Sequence, residues 1–166
     1  SMRPASSSPR TTLSPALAAS TRAPSFTSAA IIIATEDTAY TYAITTSDPD
    51  LGSILTVTAP TLPVWLTLTD NGDGTAALSG TPLNANVGNN TVVLQVSDGI
   101  ALVQQSFTIV VSNVNDAPFF TSTAVTIATE DAAYSYSITA SDPDLGAVLT
   151  LTAPTLPTWL TLTNTG

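Results

Sequence analysis

The chain has 166 residues, 43% of them hydrophobic, and a formal net charge of −9; that length supports one good core and part of another. It has neither Cys nor His, which excludes disulfide frameworks, thiolate chemistry, zinc sites of the usual kind and His-based acid–base or triad arrangements. All three cations, Arg3, Arg10 and Arg22, lie in the first 22 residues, Lys is absent, and all twelve acids lie from Glu36 onward, so neither nucleic acid nor an anionic membrane surface is an expected partner.

Residues 1–23, rich in Ser, Pro, Thr and Ala, show no sustained periodicity and are expected to form a disordered or appended tail. Two Arg residues and a small-residue end resemble a signal peptide, but the apolar centre is short and broken by Ser14 and Pro15. No apolar run approaches about 18 residues, so no membrane insertion is expected.

From residue 24 the pattern is one of short strands separated by turns. In "AYTYAIT" Tyr40, Tyr42 and Ile44 share one face; in "ILTVT" Leu55 and Val57 do so. "WLTLT" pairs Leu66 with Leu68, "TVVLQV" aligns Val92, Leu94 and Val96, and "SFTIVVS" aligns Phe107, Ile109 and Val111. This period of two, in Thr- and Val-rich segments, predicts half-buried antiparallel sheets. "DNGDGT" at 70–75 suits a hairpin turn better than a calcium loop, since it lacks the distal glutamate of an EF-hand. "GTPLNANVGNN" at 80–90 predicts a longer crossing loop. Trp65 and Trp159 recur in "LP-x-WL"; a wedge into the core is the plainer role, a sugar-stacking platform the alternative.

Aligned without gaps, residues 24–72 and 118–166 are identical at 35 of 49 positions, the mark of a recent tandem duplication. The period of 94 residues matches a complete immunoglobulin-sized sandwich. The expectation is a complete repeat over 24–117 and a truncated, N-terminal half repeat over 118–166. That half repeat should be poorly packed or pair with another chain, a route to self-association.

The acids follow the repeat. "SDPDLG" occurs at 47–52 and 141–146, "TED" at 35–37 and 129–131, and "NVNDAP" lies at the seam, 113–118. Aspartates at i and i+2 in extended chain point to one side, and a turn can bring their oxygens onto one ion. A solvated turn is the bland reading of one such motif. Its recurrence, with further oxygen ligands gathered at a seam, favours calcium, which accepts six to eight oxygens in loose geometry. A glycosidase pair is disfavoured, because no cleft is recognisable and the acids are copied in tandem; a binding module rather than an enzyme is expected.

"NVNDAPFF", "SDPDLG", "VSDG" at 96–99 and "LSGTP" at 78–82 together resemble the cadherin-like repeats of bacterial surface proteins, particularly the dystroglycan-type group and the related putative-immunoglobulin repeats. The resemblance covers residues 24–166. It implies Greek-key β-sandwiches in tandem, with calcium between neighbours. At the junction it implies Glu36 and Asp37, then Asn113, Asn115 and Asp116, and finally Asp142 and Asp144 as ligands. It places Asp48, Asp50 and Asp98 toward a preceding repeat, and Glu130 and Asp131 toward a following one. The "DRE"-like acidic motif of vertebrate-type cadherins is absent, which implies fewer or weaker ions. The expected role is a calcium-stiffened spacer or adhesive repeat, extracellular or on the bacterial cell surface, with neighbouring repeats as partners. Alternatives are a carbohydrate-binding module, which needs an exposed aromatic platform, and homophilic or protein-partner adhesion, which needs an exposed apolar patch or edge strand.

Overall fold

The structure, a computed structural model, describes residues 22–164, so the expected tail lies outside the described residues apart from its last two. Ten strands are present: β1 (Ser25–Phe26), β2 (Ile33–Thr35), β3 (Tyr40–Ser47), β4 (Thr56–Thr61), β5 (Leu66–Asp70), β6 (Thr75–Gly80), β7 (Gly88–Ser97), β8 (Leu102–Ser112), β9 (Phe119–Phe120) and β10 (Ala140–Ser141). A 3-10 turn at Asn84–Asn86 is the single helical element among the described residues.

The first eight strands form two four-stranded sheets, ordered β1-β3-β6-β5 and β2-β8-β7-β4. Consecutive strands cross between them, from β3 to β4, back to β5 and β6, then to β7 and β8, which is the Greek-key path of an immunoglobulin-like sandwich. Strand β2 lies parallel to β8, with Ile33 opposite Val110, while the remaining pairs are antiparallel. The fold is therefore all-β, as the alternating sequence predicts.

Alternation explains the core. Tyr40, Tyr42 and Ile44 from β3, Ala76 and Leu78 from β6, Val92, Leu94 and Val96 from β7, and Ile109 and Val111 from β8 all point inward. Leu94, Leu78 and Ile109 have no exposed surface, and each such burial stabilises by about 1.5–3 kcal/mol. Leu68 and Phe107, also expected inside, pack against the core while partly buried.

Polar ties fix the edges of this core. The Tyr40 hydroxyl donates to the Ile31 carbonyl at 2.7 Å, and burial pushes this phenol up to about 12. The Tyr42 hydroxyl lies 2.8 Å from Ser28 Oγ and 3.1 Å from Gln105 Oε1, joining the β1–β2 connection to β8. Asp70 Oδ2 accepts the Val57 amide at 3.1 Å, stitching the end of β5 to β4 across the sandwich. The "DNGDGT" segment turns between β5 and β6 as expected, with Gly72 and Gly74 in the left-handed region.

Residues 118–164 copy this geometry locally. Ser122 Oγ lies 2.8 Å from the Tyr136 hydroxyl, and Tyr134 packs edge-on against Trp159 at 5.8 Å. Tyr134, Tyr136 and Ile138 are half-buried between exposed neighbours. The paired backbone here is β9 with β10, Phe120 opposite Ala140. Extended backbone becomes a ladder only where a neighbouring strand accepts its hydrogen bonds, and among the described residues of this repeat only β9 and β10 pair.

Candidate metal centre

Parallel pairing of β2 with β8 carries both strands to one end of the sandwich. The Glu36 amide extends that ladder by donating to Ser112 O at 3.0 Å, and the Asp37 amide donates to Pro82 O at 2.9 Å. Asp37 has a φ of 56°, a left-handed conformation that Asp tolerates better than most residues. This bend turns the chain at "TED" and leaves the two carboxylates on the same end as the linker.

Glu36 is fully buried. Its Oε2 accepts the Val114 amide at 3.0 Å, whereas Oε1 is buried with no hydrogen-bond partner. Carboxylate oxygens of Glu36, Asp37 and Asp116 lie within 4.8 Å of one another. A buried carboxylate with an unsatisfied oxygen and like-charged neighbours is costly unless a cation or further donors compensate it.

The second repeat closes on this cluster. Asp144 Oδ2 accepts the Asp116 amide at 2.9 Å, and Asp144 Oδ1 accepts the Asn113 amide group at 3.2 Å. Asp142 supports Asp144 from within the turn, its Oδ1 accepting the Asp144 backbone N–H at 2.8 Å. Asn84, in the 3-10 turn, donates through Nδ2 to Asp116 Oδ2 at 2.8 Å and to Asp144 Oδ1 at 3.4 Å. The seam thus joins "TED", the linker, the crossing loop of the first repeat and "SDPDLG" of the second.

Of the ligands expected at the junction, Glu36, Asp37 and Asp116 form the compact group, with Asn113, Asp142 and Asp144 joined to it by hydrogen bonds. Asn115 is exposed, and its amide donates to Asp116 O at 2.8 Å. Asn84 is the residue that motif reading missed. The signal available for it was its place in the loop leaving β6, at the same end as Glu36.

Asp48, Asp50 and Asp98 lie at the opposite end, on the β3–β4 and β7–β8 turns. Asp48 Oδ1 accepts the Asp50 amide at 2.6 Å, and Oδ2 is buried without a partner. Asp50 Oδ2 accepts the Arg22 backbone N–H at 2.7 Å. Asp98 Oδ1 receives the Ala101 and Ile100 amides at 2.6 and 2.7 Å, and these bonds hold its carboxyl below the usual range. Glu130 and Asp131 occupy the far end of the second repeat, Asp131 repeating the left-handed bend of Asp37 with a φ of 61°.

The donor set is hard oxygen throughout. It suits a cation of calcium's size and ligand number and offers nothing to a soft metal. Turning the Asn84 or Asn113 amide over would replace a donor with an acceptor oxygen.

Trp65 is half-buried; it packs edge-on against Tyr40 at 5.7 Å and donates through Nε1 to Asn90 Oδ1 at 2.9 Å. That is the geometry of a core wedge. Trp159, expected to wedge in the same way, keeps the edge contact with Tyr134 at 5.8 Å but is 63% exposed.

Residues 23–112 and 117–166 each match the family model described as "Putative Ig domain". Among solved structures, human protocadherin-24 EC1-2 is 25% identical with a TM-score of 0.50, covering 76% of this chain and 64% of that one. An endo-fucoidan hydrolase of glycoside hydrolase family 107 is 31% identical with a TM-score of 0.48, covering 60% of this chain and 16% of that one. The titin domains z1z2, in complex with telethonin, are 18% identical with a TM-score of 0.45, covering 61% and 54%. The chain thus spans less than two thirds of each of these structures. No curated protein matches the sequence.

Proposed function

The chain belongs to the Putative Ig domain family, of which it carries two copies, and we propose that it is a calcium-binding structural and adhesive repeat of an extracellular or cell-surface protein. In this reading calcium sits between repeats and stiffens their junction. The observation that carries it is the fully buried Glu36, whose partnerless Oε1 belongs to a carboxylate clustered with Asp37 and Asp116. Asp144 of the next repeat is joined to that cluster through Asp116.

Glu36, Asp37, Asp116, Asp142 and Asp144 would hold the ion, with Asn113 offering an amide oxygen. Calcium supplies the positive charge that the chain lacks beyond Arg22. Held by oxygens from both repeats and the linker, it would restrict the angle between them. The likeness to protocadherin-24 EC1-2 covers 76% of the chain, more than one 94-residue repeat can supply, which supports a tandem arrangement as the relevant unit. In the complete repeat the half-buried Trp65 weighs against the carbohydrate-binding alternative, whereas the exposed Trp159 of the second repeat does not.

The test is thermal melting across a calcium titration, on this chain and on a version carrying Asp142→Ala and Asp144→Ala. Binding to the folded seam raises the melting temperature by mass action. A saturable rise that the double change weakens is expected; no response in either protein at millimolar calcium would end the proposal.

A further inference from the structure

The seam needs donors as well as a cation. Glu36, Asp37, Asp116, Asp142 and Asp144 converge where the sequence supplies no Lys or Arg, so only neutral groups of the chain can bridge them. Asn84 reaches carboxylates on both sides, 2.8 Å to Asp116 Oδ2 in the linker and 3.4 Å to Asp144 Oδ1 in the second repeat.

Its position is built, not incidental. The 3-10 turn closes through the Asn86 amide to Leu83 O at 2.7 Å, and Asn86 Oδ1 accepts the Leu83 amide at 2.9 Å. Asn90 Nδ2 holds Asn86 O at 2.8 Å, while Asn90 Oδ1 receives the Trp65 indole. The loop bearing Asn84 is thereby anchored to the sandwich through Trp65.

We propose that Asn84 is a cation-independent latch of the junction. Its amide group clips linker and second repeat to the first repeat when the seam carries no ion, and its Oδ1 turns toward the cation when one binds. The first half of this proposal needs only the hydrogen bonds described; the second rests on the calcium reading above. Hydrogen bonds to ionised acceptors are stronger than neutral ones, but at a part-exposed seam water competes for them. The latch therefore biases the junction toward the closed arrangement, and the ion completes the closure. An aspartate at this position would be a better ligand and a failed latch, because it adds charge and removes the donor.

The experiment uses fluorescent labels on cysteines placed at Thr69 and Ser135, both exposed, in a chain with no other cysteine. Distance distributions between repeats are recorded in chelator and in calcium, and calcium affinity is measured by calorimetry. Asn84→Ala is expected to broaden the chelator distribution and weaken calcium binding by roughly threefold. Asn84→Asp is expected to broaden the chelator distribution further while tightening binding by roughly fivefold. Both variants leaving the chelator distribution unchanged would overturn the latch, even if calcium binds. A chain that ignores calcium, yet broadens on Asn84→Ala, would retain the latch and refute the calcium reading.

Discussion

The indole nitrogen of Trp65 donates to Oδ1 of Asn90 at 2.9 Å, and the amide of the same Asn90 holds the 3-10 turn through Asn86 O at 2.8 Å. One side chain thus ties the half-buried tryptophan just before β5 to the loop that carries Asn84. Asn90→Ala strands the indole donor and frees the turn. A buried donor left unsatisfied costs about 1–3 kcal/mol; this indole is half-buried and water replaces part of the lost bond, so urea unfolding should shift to lower denaturant by the low end of that range, about 1 kcal/mol. Asn90→Asp, which keeps the acceptor for the indole but loses the amide donors, should recover part of the loss.

Glu36 and the ion are predicted to depend on one another. Glu36→Gln keeps the shape and can still accept the Val114 amide, but removes a ligand charge at the centre of the cluster. Calcium affinity, read by calorimetry, should fall by at least about tenfold, while stability in chelator should hold or rise because a buried charge is gone. Equal affinity in the two proteins would remove Glu36 from the site.

Gly80 marks a close approach of backbones. A Cβ there would stand 1.9 Å from the carbonyl oxygen of Trp65, at the position where β6 pairs with Leu66 of β5. Gly80→Ala should therefore force the strands apart and cost at least ~2 kcal/mol. For comparison, Leu94→Ala at the fully buried centre of β7 should cost about 2–5 kcal/mol by leaving a cavity. Denaturant melts of the two variants give both numbers.

Acid should weaken the fold through its turn carboxylates. Amide donors from Ala101 and Ile100 lower the Asp98 carboxyl, and the Thr75 hydroxyl and amide lower that of Asp73. A carboxyl depressed by folding contributes stability above its unfolded value and loses it as pH falls through the folded one. Melting temperature should thus decline below about pH 4, and less steeply in Asp98→Asn. The alkaline limb has the other sign: burial raises Tyr40 to about 12, so its contribution is complete below about pH 10 and is lost as pH rises toward the folded value. Tyr40→Phe should flatten that limb.

Much of this architecture was legible because a sandwich writes its inward faces into the sequence at a period of two. Tyr40, Tyr42 and Ile44, or Val92, Leu94 and Val96, can be assigned to the core from their spacing alone. The hairpin at 70–75 and a crossing loop followed from Gly, Asn and Pro, but the loop expected over 80–90 is shorter, because β6 runs to Gly80 and β7 already begins at Gly88. Strand ends were less legible: Leu55 is buried, yet β4 begins at Thr56. In the second repeat, alternation at Tyr134, Tyr136 and Ile138 marks faces but not ladders, because pairing depends on a distant strand.

The seam was legible through its acids, which repeat, and illegible through Asn84, which does not resemble any motif. A neutral amide in a polar loop carries no sequence mark of its role; only the crossing of the chain from β6 to β7 brings it within 2.8 Å of Asp116. The burial of Glu36 was likewise hidden. Nothing in "TED" shows that Glu36 turns inward while its neighbour Asp37 remains exposed.

The most direct measurement is the distribution of distances between labels at Thr69 and Ser135 as calcium is raised over the unsubstituted seam. Calcium held across the seam narrows this distribution saturably, on the same calcium scale as the rise in melting temperature, and chelator restores its width. A distribution that keeps its width through millimolar calcium would contradict this, leaving the acids of the seam without the joining role proposed for them.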